Sequence, residues 1–590
     1  MSHDAQSAIA RAKQIIAQRQ AEKQARESAK VAELEARYHF EKPTATSSHA
    51  PLTMIGANPA NAEQQAAIDA AFFGKSFNLI GAAGTGKTST LKAILQVMIE
   101  QNRLPMIERD TGWLRAGTPG VALIAYTRRA VRNIAKQMPD DLKQHCLTFH
   151  KLVEYQPEQY EVETEDGWQT RMRFAPKYTR DNRLPRGLHL IIVDEASMLS
   201  IDYFMELLAA LPDPTSCQFI FLGDLNQIPP VYGLPILAQK LLELPVIELT
   251  RVYRQALESP IIALATAIRT NDFSSLTADI RSGTFTVTGI NDVRFLDFKA
   301  LPPGKITIEK AGRGKVTLHV WKKKLDWEDG LFMGQQQLCK MIKDAEFNPE
   351  DDVFLCPWKV KFGSEELNRA VAEYLGKQRG AEVYEVISGF MKHYFAVGDR
   401  LMIEKQEAII LEIRNNPRYL GALPKTPSKE LTRWGVGGTA AQINPFDESL
   451  SEEQIEALLA AATTSEDRTN EASHSLRVRF LDSGTEEYIS AAGSLNASSF
   501  GYGMSVHQSQ GSEYPRVLYV TSHIHSAMLS RELAYTGVTR ASQELYWILE
   551  STALGKAAKS PRIKGESLAE KIAFFEERVK EKHGKIEVSE

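Results

Sequence analysis

The segment GAAGTGKT, Gly81 to Thr88, constrains this chain more than any other short stretch. It fits G-x-x-x-x-G-K-[ST] and stands between an apolar run, FNLI at 77–80, and a helical pattern, STLKAILQVMI at 89–99. That context predicts a strand, a tight loop and a helix. The glycines let successive backbone N–H groups close around phosphate oxygens at the positive end of a helix. Gly81, Ala82, Ala83, Gly84, Thr85, Gly86, Lys87, Thr88 and Ser89 are the expected cradle of a nucleotide, ATP. Lys87 is expected to reach the β- and γ-phosphates, and the Thr88 hydroxyl to bind Mg²⁺. A second apolar run, LHLIIV at 188–193, ends in Asp194-Glu195. It places two carboxylates at the carboxyl edge of a sheet, where ligands of α/β folds bind. Asp194 is expected to hold the Mg²⁺, and Glu195 to polarise the water that attacks the γ-phosphate.

More short apolar runs surround these two: VALIAY at 121–126, CQFIFL at 217–222 and PVIEL at 245–249. Helical patterns separate most of them, which predicts a parallel sheet covered on both faces. A second set predicts a second α/β domain: DDVFLCP at 351–357, the helical SEELNRAVAEYL at 364–375, RVLYVTS at 516–522 and ELYWILE at 544–550. Between these pieces, VGDRLMIEK at 397–405 and SLRVRFLDSG at 475–484 are short, alternating and turn-rich, the pattern of a small inserted β-barrel. Within the insert, 421–474 is loose in composition, with one helix expected from about 452, capped by Ser451 and Gln454.

A length of 590 residues accommodates several domains. The formal net charge of −4 excludes a chain coated in positive charge, but not a local basic groove. No apolar stretch of about 18 residues exists to span a membrane, and the start, MSHDAQSAIARAKQ, lacks a secretory apolar core. The four cysteines, Cys146, Cys217, Cys339 and Cys356, are too scattered for a zinc site or a disulfide framework. A cytoplasmic location and a monomer are expected. Residues 1–42 are helical by propensity but poor in large apolar residues, so they read as a solvated arm or as a helix that docks a partner.

Between 151 and 189, YEVETEDGWQTRMRF reads as a β-hairpin. A three-residue loop, Glu165-Asp166-Gly167, pairs Thr164 with Trp168, Val162 with Thr170 and Tyr160 with Met172, and gives one largely apolar face.

With these motifs in place, the chain resembles superfamily 1 helicases, nearest to the RecD/Dda-like branch that moves 5′→3′ on DNA. The resemblance runs from about 61 to 550, with the motifs in the family's order. NAEQQAAI carries Gln64 at the adenine-reading position, and AYTRRAV at 125–131 and LTFHKL at 147–152 follow. GDLNQIPPV at 223–231 carries Gln227 as sensor of the γ-phosphate, and LTRVYRQ at 249–255 carries Arg254. HQSQGSEYPRV at 507–517 carries Glu513, and YTGVTRAS at 535–542 carries Arg540. The resemblance implies an α/β fold of two RecA-like motor domains with an inserted hairpin and an inserted SH3-like barrel. ATP would lie between the two halves. Arg254 and Arg540, from the second half, would contact the γ-phosphate, and Glu513 would meet the ribose. The expected divisions are 1–50 for the arm and linker, 51–250 for the first motor domain with its hairpin at 151–189, 251–389 and 501–590 for the second, and 390–500 for the barrel.

By position in the motifs, Thr127, Thr148, Phe149, His150, Ser505 and His507 are the candidate DNA contacts. Trp358 stands where the family commonly has a hydroxyl, and could stack on a base instead. In related helicases a hairpin at this place separates the strands, which gives that role to Trp168. The implied partners are single-stranded and fork DNA, with a replication or recombination protein on the N-terminal arm. A RecD-like subunit of a helicase–nuclease complex and a DNA-stimulated ATPase that remodels protein–DNA complexes remain alternatives.

Overall fold

The computed structural model describes residues 25–38, 40, 54–55, 58–164, 167–229, 235–253, 256, 258–321, 338–340, 342–343, 346–359, 363–389, 391–403, 406–419, 427–429, 440–442, 471–481 and 483–587. The chain forms two units: Met1–Leu257 with Pro561–Glu590, and Glu258–Ser560. The first boundary therefore falls a few residues after the expected 250. The segment after Ser560, expected to finish the second half, instead belongs to the first.

Unit 1 is built on β1 (Phe77–Gly81), β2 (Val121–Ala125), β3 (Cys146–Thr148), β6 (Leu190–Val193), β7 (Gln218–Gly223) and β8 (Val246–Leu249); β4 (Tyr155–Thr164) and β5 (Gly167–Pro176) form the hairpin. The six sheet strands run in the order β8-β1-β7-β6-β2-β3, all parallel. Alternate residues feed two cores, as a sheet buried on both faces requires. Leu79, Leu123, Ile192 and Ile220 face one core, with Ile68 and Ile94 from α1 (Ala62–Phe72) and α2 (Lys87–Glu100) and Ile134 from α3 (Arg128–Gln137). Ile80, Ile124, Ile191 and Phe221 face the other. There they meet Phe149 from α4 (Phe149–Leu152), Phe204 from α5 (Ile201–Ala210), Leu241 from α6 (Ile236–Glu243), and Ile572 and Phe575 from α10 (Leu568–Glu587).

The described part of the N-terminal arm is helical over 25–37. Its end is anchored on its own chain rather than solvated. Tyr38 is buried in the second core, its hydroxyl donates to Glu576 Oε2 at 2.7 Å, and Arg37 pairs with Glu576 Oε1 at 2.6 Å.

The hairpin exists, but in a different register. Thr164 pairs with Gly167, Glu163 with Trp168, Val162 with Gln169, Glu161 with Thr170 and Tyr160 with Arg171. The connection is two residues, not three. A one-residue slip exchanges the faces of a strand, so Tyr160 and Val162 fall on the opposite face of the ladder from Trp168.

Unit 2 opens with α7 (Pro260–Thr270), β9 (Thr286–Thr288), β10 (Gly304–Lys310), β11 (Gly314–Trp321), β12 (Val353–Cys356) and α8 (Ser364–Arg379). An insert follows: β13 (Val383–Ser388), β14 (Met391–Ala396), β15 (Arg400–Ile403), β16 (Gln406–Asn415), β17 (Ala440–Gln442), β18 (Glu471–Phe480), β19 (Glu486–Ala491) and β20 (Ser499–Phe500). The chain then returns as β21 (Gly503–Ser505), β22 (Tyr514–Val520), α9 (Arg531–Val538) and β23 (Ala541–Glu550). The main sheet has the order β9-β10-β11-β23-β22-β12-β21; it is parallel from β11 onward, with an antiparallel edge, β9 and β10, that the sequence pattern did not suggest. The insert forms two antiparallel sheets, β13-β14-β17 and β19-β18-β16-β15-β20. Phe395, Leu401, Ile410 and Val478 pack into one core that continues to Phe354 and Leu518 of the main sheet. The helix expected near Ser451 and Gln454 lies outside the described residues.

Candidate nucleotide and nucleic-acid site

The loop after β1 takes the conformation its glycines predict. Gly84 and Gly86 have φ of +81° and +84°, a region costly for other residues. A Cβ on Gly86 would meet the Tyr253 ring at 3.0 Å and Gln64 Nε2 at 3.2 Å. Lys87 opens α2 and its Nζ donates to Gly81 O at 2.5 Å and Ala82 O at 3.3 Å. Those carbonyls hold the cation over the loop, where phosphate oxygens would compete for it. Thr88 and Ser89 follow in the first turn of α2, beside the loop's N–H groups. Gln64 sits three residues into a capping box: Asn61 Oδ1 accepts from Gln64 N at 2.8 Å, and Gln64 Oε1 accepts from Asn61 N at 3.0 Å. The helix start thus fixes the carboxamide and leaves Nε2 buried with no acceptor among the described residues. An orphaned buried donor beside the phosphate loop suits a nucleobase acceptor.

Three neighbouring strands, β1, β7 and β6, deliver the remaining groups to one carboxyl edge. Asp194 and Glu195 follow β6. Burial, reinforced by the adjacent Glu195 carboxylate, pushes the Asp194 carboxyl up to about 7, while Lys87 draws it down. A buried carboxylate destabilised in this way fits a divalent cation, whose charge would reverse the shift. Glu195 has φ +49°, a left-handed backbone unusual for a non-glycine residue. It is held there by Ala196 N donating to Leu222 O and Met198 N to Glu195 O. Gln227, on the turn after β7, is buried; its Nε2 donates to Glu195 Oε1 at 3.4 Å and its Oε1 has no partner among the described residues. Lys87, Asp194, Glu195 and Gln227 thus converge, as expected.

The nucleic-acid candidates of unit 1 divide. Thr127 and Thr148 are N-caps: their hydroxyl oxygens accept from Ala130 N at 3.1 Å and Lys151 N at 3.2 Å. A capping hydroxyl still has its own proton to donate. Phe149 is fully buried in the core and has no face for a base, which corrects the expectation for it. His150 packs edge-on among Tyr155 and Tyr203, with ring centroids 4.8 and 5.2 Å away. Exposed aromatics of unit 1 include Tyr126, directly after β2, and Trp113, over which Lys151 Nζ lies at 4.0 Å. The sequence reading passed over both. Tyr126 lies within the AYTRRAV segment already singled out; Trp113 had no local signal. Trp168 is placed only by its strand.

In unit 2, Cys356 pairs with Ser505 across β12 and β21, so Trp358, Ser505 and His507 follow the carboxyl ends of adjacent parallel strands. Trp358 meets His525 edge-on at 5.3 Å, and the Ser505 hydroxyl donates to Gln508 Oε1 at 3.0 Å. Arg540 is buried and tied on three sides, to Thr536 O at 3.0 Å, Ser512 O at 2.9 Å and Thr539 Oγ1 at 3.1 Å. Glu513, exposed, is next to Ser512. Arg254, expected from the second half, precedes the unit boundary and lies outside the described residues.

Two family models match the chain: an AAA domain over residues 64–233 and a UvrD-like helicase C-terminal domain over 500–548. The first spans the phosphate loop through Gln227, and the second spans Ser505 through Arg540. The ATP-dependent RecD2 DNA helicase of Deinococcus radiodurans is 32% identical over 189 residues, covering 32% of this chain and 21% of that protein. The RecBCD enzyme subunit RecD of Mycolicibacterium smegmatis is 30% identical over 238 residues, covering 38% of each. Over these segments the chain is similar to RecD helicases. The matched segment spans less than two-fifths of the length of either relative. A crystal structure of Bacteroides Pif1 bound to ssDNA aligns over 84% of this chain and 93% of its own, at 14% identity and a TM-score of 0.38.

The chain also has a concavity of about 570 Å³ in unit 1, lined largely by the segment that joins β5 to β6. Arg109, Arg180, Arg183 and Arg186 line it, with Glu108 and Asp181. Arg183 is fixed through Pro212 O at 2.7 Å and Arg109 through Arg183 O at 2.7 Å. No helix among the described residues is long and apolar enough to cross a membrane.

Proposed function

We propose that the chain is an ATP-dependent DNA helicase that moves 5′→3′ along single strands and opens duplex ahead of it. The observation that carries this reading is the convergence of Lys87, Asp194, Glu195 and Gln227 at the carboxyl edge of one parallel sheet. ATP with Mg²⁺ supplies a polyphosphate whose terminal group is transferred to water. The loop amides and Lys87 would hold that group, with Thr88, Ser89 and Asp194 on the metal side and Gln64 on the base. Glu195 would take the proton of the attacking water, and Gln227, bonded to Glu195, would sense the γ-phosphate. Arg540 offers a guanidinium already fixed by three acceptors, so little freedom is lost when it meets transition-state charge. Arg254 and Glu513 take the roles the resemblance gives them.

Single-stranded and fork DNA are the proposed partners. The hydroxyl protons of Thr127 and Thr148, with Ser505 and His507, suit phosphates; Tyr126, Trp113 and Trp358 suit base faces. The four arginines of the concavity are further candidates for the DNA backbone. The hairpin β4–β5 would act as the wedge, and the antiparallel insert as the SH3-like element of this branch. The deciding experiment offers duplexes with 5′ or 3′ single-stranded tails and measures unwinding with ATP. Unwinding of the 5′-tailed substrate alone is expected. Preference for the 3′ tail overturns the polarity, and hydrolysis without unwinding of either leaves the remodelling ATPase. Replacing 161–171 by a short Gly-Ser turn should abolish unwinding while single-strand-stimulated hydrolysis stays near normal.

A further inference from the structure

After unit 2 ends at Ser560, the chain re-enters unit 1 and forms α10. Ile563 is already buried in the unit 1 core, and Leu568, Ile572 and Phe575 follow it there. The helix start is sharply specified. Ser567 Oγ accepts from Glu570 N at 3.3 Å, and Glu570 Oε2 accepts from Ser567 N at 3.1 Å, a reciprocal capping box. The residue after Glu570 is Lys571. A lysine in the first helical turn is disfavoured by the helix dipole, so propensity does not account for it. Its Nζ donates to Asn226 Oδ1 at 2.5 Å.

Asn226 belongs to the turn after β7. Its Nδ2 and N donate to Asp224 Oδ1 at 2.7 and 2.9 Å, and Gln227 N donates to Asp224 O at 3.2 Å. Gln227 Nε2 then reaches Glu195 Oε1. A continuous polar path therefore runs from the α10 cation through Asn226 and Asp224 to the two groups at the γ-phosphate end of the site. We propose that Lys571 is a positioning residue for hydrolysis: it locks the Asp224–Gln227 turn, and through it sets Gln227 against Glu195. This deepens the ATPase reading and rests on it. Lys571 acts through Asn226.

The test uses the full chain. Lys571→Met should lower kcat for DNA-stimulated ATP hydrolysis about tenfold, the worth of one hydrogen bond to a charged group, with KM within about twofold. Lys571→Arg should restore most of it. Glu576→Gln removes the charge that Arg37 and Tyr38 meet on the same helix, leaves Asn226 alone and should keep kcat. Hydrogen exchange of the nucleotide-free protein should show faster exchange across 223–228 in Lys571→Met only. Unchanged kcat and unchanged exchange in Lys571→Met overturn the proposal, as does an equal loss in Glu576→Gln, which would make helix docking the cause. A wild-type protein that does not hydrolyse ATP defeats the ATPase reading instead; the exchange comparison still decides whether Lys571 locks the turn.

Discussion

The functional groups carried by the main sheets of the two units stand in opposite states of satisfaction. The unit 1 edge is left incomplete: Gln64 Nε2 and Gln227 Oε1 are buried without partners among the described residues, Glu195 sits at φ +49°, and the Asp194 carboxyl is raised by burial. In unit 2 the polar groups are already engaged: Arg540, before the amino end of β23, on three acceptors, and Ser505, at the carboxyl end of β21, on Gln508. Unmet polar groups cost stability unless a ligand completes them. The difference teaches that unit 1 offers polar groups a charged ligand would complete, while unit 2 presents groups fixed in advance.

Five variants test that contrast. Arg540→Ala should reduce ATP turnover by about 10³–10⁵, the range for a transition-state arginine. Arg540→Lys should not rescue it, because an ammonium cannot reproduce the three-way tie. A loss of only a few-fold would make Arg540 a structural pin. Glu195→Gln should cost on the order of 10²–10⁴ in kcat, the range for a general base, with nucleotide affinity retained; near-normal turnover breaks the assignment. Phe149→Ala should destabilise unit 1 by about 3–5 kcal/mol in denaturant unfolding. Tyr126→Ala should instead leave stability intact and weaken single-strand binding by about 1–3 kcal/mol. Reversal of those two outcomes would return Phe149 to the DNA path.

The smallest effect concerns acid. Burial lowers the pKa of His145 in unit 1 and of His393 and His474 in unit 2. A histidine held neutral in the folded state gives stability that is full above its unfolded value of about 6.5 and falls as pH drops toward the folded value. Unit 2, with two such groups, should lose more stability between pH 7.5 and 5.5 than unit 1. Separate melting transitions that shift equally, or a larger shift in unit 1, would refute this.

The legible parts of the molecule were those specified by contiguous residues. GAAGTGKT and LHLIIVDE carry both their element type and their chemistry within one short window, so the site edge of unit 1 could be read directly. The hairpin was legible as an element but not in register, because Glu165-Asp166-Gly167 permits a two- or a three-residue connection and either closes. Phe149 was misjudged because a motif's apolar residue carries no local mark that separates a core position from a binding face. The capping roles of Gln64, Thr127 and Thr148, the ties on Arg540 and the return of α10 all depend on partners distant in sequence or on backbone angles.

That return makes unit 2 an insertion within unit 1, with a consequence for biosynthesis. The core of unit 1 is finished by Ile563, Leu568, Ile572 and Phe575, which a ribosome reaches only after the whole of Glu258–Ser560. At 5–20 residues per second, that is a delay of roughly 15–60 s. Through that interval the nascent first unit carries Tyr38, Leu237 and Leu241 without the helix that covers them, so chaperone capture is expected to concentrate on this face.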